Sequence, residues 1–256
     1  MTSKEAIQQA ATAVDRAQRI AVLTGAGVSK ESGVPTFRDA QTGLWARFDP
    51  QQLATPQAFQ RNPKLVWEWY EFRRSTVREA KPNPGHVALA MLQKHYPRTT
   101  LITQNVDDLH EQAGSRDVIH LHGSIAQTKC FGNCQGPSTL VDLATIDNDL
   151  DDLPPRCPSC GAYLRPDVVW FGEVLPSDQL QRAIDASTTC DLMLVVGTSG
   201  LVHPAASLPI YAYQSGAALI EINPDRTPLS DMATLRLEGP SGEVLPHLIE
   251  ALDDVS

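Results

Sequence analysis

Two pairs of cysteines, Cys130-x3-Cys134 and Cys157-x2-Cys160, stand 22 residues apart, close to the spacing of a zinc ribbon. Four thiolates close a tetrahedral coordination sphere, so a metal held this way folds the segment around it and leaves no position open for chemistry. Two disulfides or free thiols are the alternatives. The fifth cysteine, Cys190, stands alone, which is poor arithmetic for a disulfide scaffold and points to a reducing compartment. The first spacing, through Phe131-Gly132-Asn133, is one residue longer than usual. A second group with chemical capacity is His120-Leu121-His122-Gly123. Strand alternation puts both imidazoles on one face, but only His122 sits at the strand exit, before a glycine that permits close backbone approach. With an ordinary pKa near 6.5 it can take a proton from a sugar hydroxyl at neutral pH, although a lone histidine is more often structural.

Upstream, Arg19–Thr24 is a short apolar run that ends in Gly25-Ala26-Gly27. A strand running into Gly-x-Gly is where a dinucleotide-binding fold turns tightly and brings backbone N–H groups toward a pyrophosphate. The third glycine of that fingerprint would fall at Lys30, so a plain glycine turn is the competing reading. The loop that follows, Gly33-Val34-Pro35-Thr36-Phe37-Arg38-Asp39, favours the first, because it carries an aromatic and an arginine suited to cover a dinucleotide. Thr103-Gln104-Asn105-Val106-Asp107-Asp108 leaves another apolar run directly. Gln104 and Asn105 offer donors and acceptors for ribose hydroxyls or a carboxamide, and Asp107 can accept from an amide. A helix-capping turn would account for Asn105 or Asp107 but not for Gln104.

The stretch Leu65-Val-Trp-Glu-Trp-Tyr-Glu-Phe-Arg-Arg74 follows Asn62-Pro63, a helix-start signal, and a helix would place Trp67, Tyr70 and Arg73 on one face. Arg73 then either snorkels, its stem on an aromatic ring and its head in water, or lines a pocket with Tyr70 and reads an anion.

The elements that must position these groups are apolar strands at Arg19–Thr24, Thr99–Thr103, Val118–Leu121, Leu192–Val196 and Ala218–Ile222, with helical stretches between several of them. Near-continuous apolar strands alternating with helices predict a parallel sheet covered on both faces, hence an α/β fold of Rossmann type. Residues 35–92, helical and rich in Trp, Phe and Pro, and residues 126–168, with the cysteine pairs, break the alternation. They are expected as a helical insertion and a zinc-binding module in a sheet domain built from 1–34, 93–125 and 169–256. At 256 residues the chain can bury a large core, and a net charge of −9 disfavours a sequence-blind nucleic-acid binder. The N-terminal segment alternates charge and alanine without the apolar block of a signal peptide, and no apolar run is long enough to span a membrane, so a cytoplasmic protein is expected.

Taken in order, GAGVSKESGVPTFRD, TQNVDDLH, HLHGS, the four cysteines, VVWFGE, VGTSGLVHPAA and INPD resemble the sirtuins, NAD-dependent protein deacylases, over essentially the whole chain. The resemblance implies a large Rossmann domain, a small domain with one structural Zn2+, and a cleft between them for NAD and an acyl-lysine peptide. It implies that Gly25, Ala26, Gly27, Phe37 and Arg38 hold the dinucleotide, with Gln104, Asn105 and Asp107 around the nicotinamide ribose and carboxamide. Gly197, Thr198, Ser199, Asn223, Asp225 and Ser241 would line the adenosine half. The segment Val169-Trp170-Phe171-Gly172-Glu173, with Phe171, Gly172 and Glu173 as its substrate-binding residues, would pair its backbone with the substrate peptide as a strand added between two edges. In the family mechanism the acyl oxygen attacks the ribose C1′ as nicotinamide leaves. His122 would be the general base for a ribose hydroxyl, and lysine and O-acyl-ADP-ribose are released. The Tyr70-x-x-Arg73 pair resembles the class III subgroup, which removes succinyl, malonyl and glutaryl groups, and Ala54 would leave room for the longer acyl chain. Acetyl-lysine is a further candidate substrate. A protein ADP-ribosyltransferase and a non-catalytic NAD or ADP-ribose sensor are the rival classes.

Overall fold

The computed structural model describes residues 2–36, 49–146 and 153–253. Along the chain run α1 (Lys4–Arg16), β1 (Ile20–Thr24), α2 (Gly27–Lys30), α3 (Pro50–Leu53), α4 (Pro56–Arg61) and α5 (Pro63–Glu79). Next come α6 (Pro84–His95), β2 (Thr99–Thr103), α7 (Leu109–Gln112), β3 (Ile119–His120), β4 (Gly123–Cys130) and β5 (Leu164–Val168). The chain closes with α8 (Ser177–Thr189), β6 (Leu192–Val196), α9 (Leu208–Gln214), β7 (Ala218–Ile222), β8 (Leu235–Leu237) and α10 (Ser241–Asp253). Contacts group it into two units, one of Met1–Thr36, Ala80–Leu121 and Pro176–Ser256, the other of Phe37–Glu79 and His122–Leu175. Helix α6 thus groups with the sheet, whereas the sequence reading carried the helical insertion to residue 92. The reason is that Ala88, Leu89 and Leu92 are buried in the sheet's own core.

The first unit is a parallel sheet in the order β3-β2-β1-β6-β7-β8. From β1 the chain builds outward through β2 and β3, then crosses to β6 and builds the other way. The switch point lies between β1 and β6, and the crevice beyond their carboxyl ends is where such sheets bind ligands. Both strands are buried along their whole length, in register from Ile20 opposite Leu192 to Thr24 opposite Val196. Their alternate residues feed two cores. Val22, Leu101, Leu194 and Ile220 pack with α1, α6 and α10, and Ala21, Met193, Val195 and Leu219 pack with Ala212 of α9, Ala217 and Leu229. Each Leu or Ile buried in this way contributes about 1.5–3 kcal/mol. Helix α1 shows how the sequence specifies its place: Ser3 accepts from the Ala6 N–H as N-cap, and Ile7, Ala10, Ala11 and Val14 form one buried stripe at i, i+3, i+4, i+7.

The second unit joins α5 to the antiparallel pair β4–β5. Asn62 caps α5, its Oδ1 accepting from the Leu65 N–H at 3.1 Å. The ladder slips between Ser124 and Thr128, which leaves carbonyls without strand partners. Arg74 satisfies them, donating from Nε to Ile125 O (2.6 Å) and from Nη2 to Gln127 O and Thr128 Oγ1 (both 2.9 Å). Trp67, Cys130, Cys157 and Leu164 form a local core. Among the described residues no helix is long and apolar enough to cross a membrane.

Candidate functional site

At the switch point Gly25 and Gly27 meet the turn after β6. The Gly25 N–H donates to Val196 O at 3.0 Å and the Gly27 N–H to Gly197 O at 2.8 Å. A Cβ on Gly25 would lie 2.7 Å from the Thr198 Cβ, and one on Gly27 2.7 Å from Gly197 O. Both glycines are therefore required by the approach of two strand ends, whatever else they face. Ala26 caps α2, and Ser199 lies half-buried just past Thr198. The Gln104 carboxamide donates to Thr198 Oγ1 at 2.9 Å, and Asn223 Nδ2 donates to Thr198 O at 2.8 Å. Asp225 is exposed and gives its N–H to Asn223 Oδ1. Ser241, at the start of α10, is buried, with its hydroxyl 3.4 Å from a Glu31 carboxylate that also accepts the Gly242 N–H at 2.7 Å. Phe37 and Arg38 lie outside the described residues.

Beside this crevice the polar loop after β2 rests on a directed chain of hydrogen bonds. The Asn83 N–H donates to His86 Nδ1, so the proton of the neutral ring is on Nε2, 3.4 Å from Ser29 Oγ. Ser29 Oγ also accepts from Asn105 Nδ2 at 3.0 Å, which leaves its own proton for the Asp107 carboxylate. Asp107 is buried, and burial pushes its pKa up against the Ser29 and Leu109 hydrogen bonds. Burial holds His86 down to about 4, and burial together with two neighbouring imidazoles holds His110 down to about 3. Burial also works against charge on His120, but its bond to Glu111 at 2.6 Å outweighs this and its pKa is raised.

His122 opens the second unit. Its carbonyl accepts the Val169 N–H at 2.9 Å, and Gly123 follows with φ +75° and no room for a Cβ, which would fall 2.0 Å from Asp167 O. The strip 169–173 is tied in place by its own unit: the Trp170 N–H goes to Glu173 Oε2 (2.8 Å), the Phe171 N–H to Ala54 O (2.9 Å) and the Glu173 N–H to Trp170 O (3.0 Å). The side chain of Glu173 is spent on Arg165, at 2.6 and 2.9 Å, so it holds the strip's shape. Phe171 is exposed, and Gly172 has φ +87°. Tyr70 is fully buried, its Oη accepting from Trp170 Nε1 at 2.9 Å. The Arg73 guanidinium lies over the rings of Trp69 and Tyr70, 5.0 and 5.4 Å from their centroids. Ala54 is buried.

The four cysteine sulfurs lie within 4.8 Å of one another. The Cys130–Cys160 and Cys134–Cys157 separations are 3.5 and 3.9 Å, and the edge of a tetrahedron of zinc–thiolate bonds is about 3.8 Å. Burial resists ionisation of Cys157, but the Ser159 and Cys160 N–H groups aimed at its sulfur outweigh it and bring the thiol down to about 7. The donor set fits a structural Zn2+.

Ser29, Asn83, His86, Arg165 and the Trp170 indole N–H carry no signature of a site role in the sequence. The nearest signal was Asn83-Pro84, a helix-start pair whose asparagine both caps α6 and orients His86.

A family model described as the Sir2 family matches residues 25–204. The NAD-dependent protein deacylase 1 of Pseudomonas aeruginosa is 52% identical over 235 residues, 91% of this chain and 94% of that protein. Among solved structures, a Sir2 homolog–NAD complex is 45% identical with a TM-score of 0.87, covering 97% of this chain and 94% of its own. Sir2Af2 bound to a myristoylated histone peptide is 32% identical with a TM-score of 0.77, covering 99% of this chain and 98% of its own.

Proposed function

The chain belongs to the Sir2 family, and from that premise we propose that it removes acyl groups from protein lysines with NAD as cosubstrate. Its acyl groups are succinyl and malonyl, with glutaryl and acetyl as further substrates. The observation that carries the reading is the meeting of Gly25, Gly27, Gly197 and Thr198 at the carboxyl ends of β1 and β6, beside Gln104, Asn105 and Asp107. It stands in a chain 52% identical to a protein named as an NAD-dependent deacylase.

NAD supplies an electrophilic ribose carbon with nicotinamide as its leaving group. The chain's own residues do the rest. Gln104, Asn105 and Asp107 present carboxamide and carboxylate groups to the nicotinamide ribose and carboxamide, and the Ser29–His86 chain sets the direction of two of them. Gly25, Ala26 and Gly27 hold the dinucleotide, and Gly197, Thr198, Ser199, Asn223, Asp225 and Ser241 line its adenosine half. His122 takes the proton of a ribose hydroxyl, which makes that oxygen a nucleophile toward the acyl carbon. Phe171 and Gly172 meet the peptide, and Glu173 braces them. Acyl selectivity rests on Arg73, whose planar fork matches a carboxylate, with Tyr70 beneath it and Ala54 as the small wall. One Zn2+ on Cys130, Cys134, Cys157 and Cys160 holds the second unit's turns together. The acylated peptide held by Sir2Af2 supports acyl-lysine as the substrate class.

Mass spectrometry after incubation with NAD and a succinyl-lysine peptide tests the proposal. Free lysine peptide, nicotinamide and O-succinyl-ADP-ribose are expected in equal amounts. A peptide that gains an ADP-ribosyl group, or NAD bound without turnover, refutes it.

A further inference from the structure

Trp170 is fastened on three sides. Its backbone N–H donates to Glu173 Oε2, and Arg165, which holds that carboxylate with two N–H groups, places its guanidinium carbon 3.2 Å from the indole centroid. Arg165 is fixed in turn by a bond from Nη2 to Val168 O. The third tie is the indole N–H itself, which reaches Tyr70 Oη at 2.9 Å.

The last bond has a direction. An indole N–H only donates, so Oη is the acceptor. A phenol proton prefers the plane of its ring, on one side of the oxygen or the other, and the side facing Trp170 is taken. The Tyr70 proton therefore points away from Trp170. Among the described residues nothing accepts it, although Tyr70 is 0% exposed. A buried donor without an acceptor is costly and calls for a partner, which a bound ligand or an ordered water can supply. The strongest charge acting on the phenol is the Arg73 guanidinium, on the face of the same ring, with Arg165 and Glu173 acting more weakly. Burial is the chief influence on the phenol and raises its pKa, so it remains a donor throughout the neutral range.

Resting on the selector reading of Tyr70 and Arg73, we propose that Trp170 is a positioning residue for acyl selection. Its indole N–H turns the Tyr70 proton toward the carboxylate of a succinyl-type group, where the phenol and the Arg73 fork act as joint donors. Trp170 is then held in the strip 169–173 by its backbone N–H, bonded to Glu173, and aims the acyl selector through its indole N–H.

The test compares kcat/KM for succinyl-lysine and acetyl-lysine on one peptide, in the wild type, Trp170→Phe, Tyr70→Phe, the double variant and Arg73→Met. Phenylalanine keeps an aromatic face for Arg165 but removes the N–H together with one ring of buried packing, so the acetyl-lysine arm on the same peptide serves as the control for lost packing. Trp170→Phe is expected to lower the succinyl-to-acetyl ratio about threefold to tenfold, the size of one neutral hydrogen bond. Tyr70→Phe should lower it likewise, and the double variant no further than the larger single effect, because both act through one hydroxyl. Fully additive losses, or a ratio that stays at the wild-type value while Arg73→Met collapses it, overturn the role of Trp170 and leave the selector reading intact. A wild type with no succinyl preference and no response to Arg73→Met overturns both. If Trp170→Phe fails to fold, Tyr70→Phe decides: an unchanged ratio refutes the joint-donor arrangement.

Discussion

Gly27 and Gly197 touch backbone to backbone, 2.8 Å from N to O, and neither has room for a side chain. A Cβ on Gly197 would fall 2.6 Å from the Val28 nitrogen, and its φ of +58° is itself unfavourable for other residues. At Gly33, φ is +82° but nothing lies within 4 Å of an added Cβ. Gly33→Ala should therefore cost about 1–2 kcal/mol, the strain of the left-handed backbone alone. Gly27→Ala should cost more, and should weaken NAD binding because the strand ends must part. Denaturant melts and calorimetric titration of the two variants check the order; a Gly27→Ala protein as stable as Gly33→Ala would contradict it.

His122→Ala should reduce deacylation by about 10²–10⁴-fold, the usual contribution of a general base. NAD affinity should persist, since the switch-point loops belong to other parts of the chain. Turnover close to wild type would place the base elsewhere.

Arg73→Met keeps much of the apolar stem and removes the fork. The succinyl carboxylate is then desolvated without a cationic partner, and the succinyl-to-acetyl ratio of kcat/KM should fall by at least about tenfold. Equal losses on both acyl groups would mean that Arg73 supports only the helix.

Cys157→Ala should lose the metal and destabilise the second unit, because Cys157 lies both in the sulfur cluster and in the core with Trp67 and Leu164. Elemental analysis should find one zinc in the wild type and none in the variant. Full metal occupancy without Cys157 would argue against the ligand set.

The buried imidazoles give stability a pH dependence. His86 and His110, with ring centroids 4.9 Å apart, are depressed to about 4 and about 3, while an unfolded chain titrates them near 6.5. Below about 6.5 the unfolded chain takes up protons that the folded one does not. Each ring therefore costs about 1.4 kcal/mol per pH unit of acidification until its folded pKa is reached. Asp107, whose carboxyl is raised by burial, works in the opposite sense as pH falls through its folded pKa. Imidazole resonances in an NMR titration separate the terms: His86 and His110 should hold their neutral shifts down to about pH 5. Protonation of either near 6.5 would contradict the buried, directed arrangement.

The legible parts of the fold share a cause. β1, β2, β6 and β7 read as near-continuous apolar runs because helices cover both sides of the sheet, and such a run needs no knowledge of its neighbours; the buried Glu221 interrupts β7 and is satisfied by the Thr227 and Ser230 hydroxyls. β8, Leu-Arg-Leu, was missed because it is a three-residue edge strand whose arginine reaches Glu238 and Pro224. β4 and β5 were missed because they carry Lys129, Arg165 and Asp167. Those charges read as surface, yet Lys129 and Asp167 pair at 2.9 Å and Arg165 is neutralised by Glu173. The same contrast divides the site. The cysteine cluster was visible because each pair is local. The chain through Ser29 was not, since its partners His86 and Asn105 lie 57 and 76 positions away.

Arg74, the neighbour of the proposed selector, was also passed over, and its contacts have a geometric consequence. Its Nε and Nη2 are spent on groups spanning Ile125 to Thr128, so α5 is not free to turn about its own axis. Consecutive residues of a helix point about 100° apart. Once Arg74 is locked onto the β4 bulge, the bearing of Arg73 follows as a fixed offset, in the way one engaged tooth sets the phase of a gear.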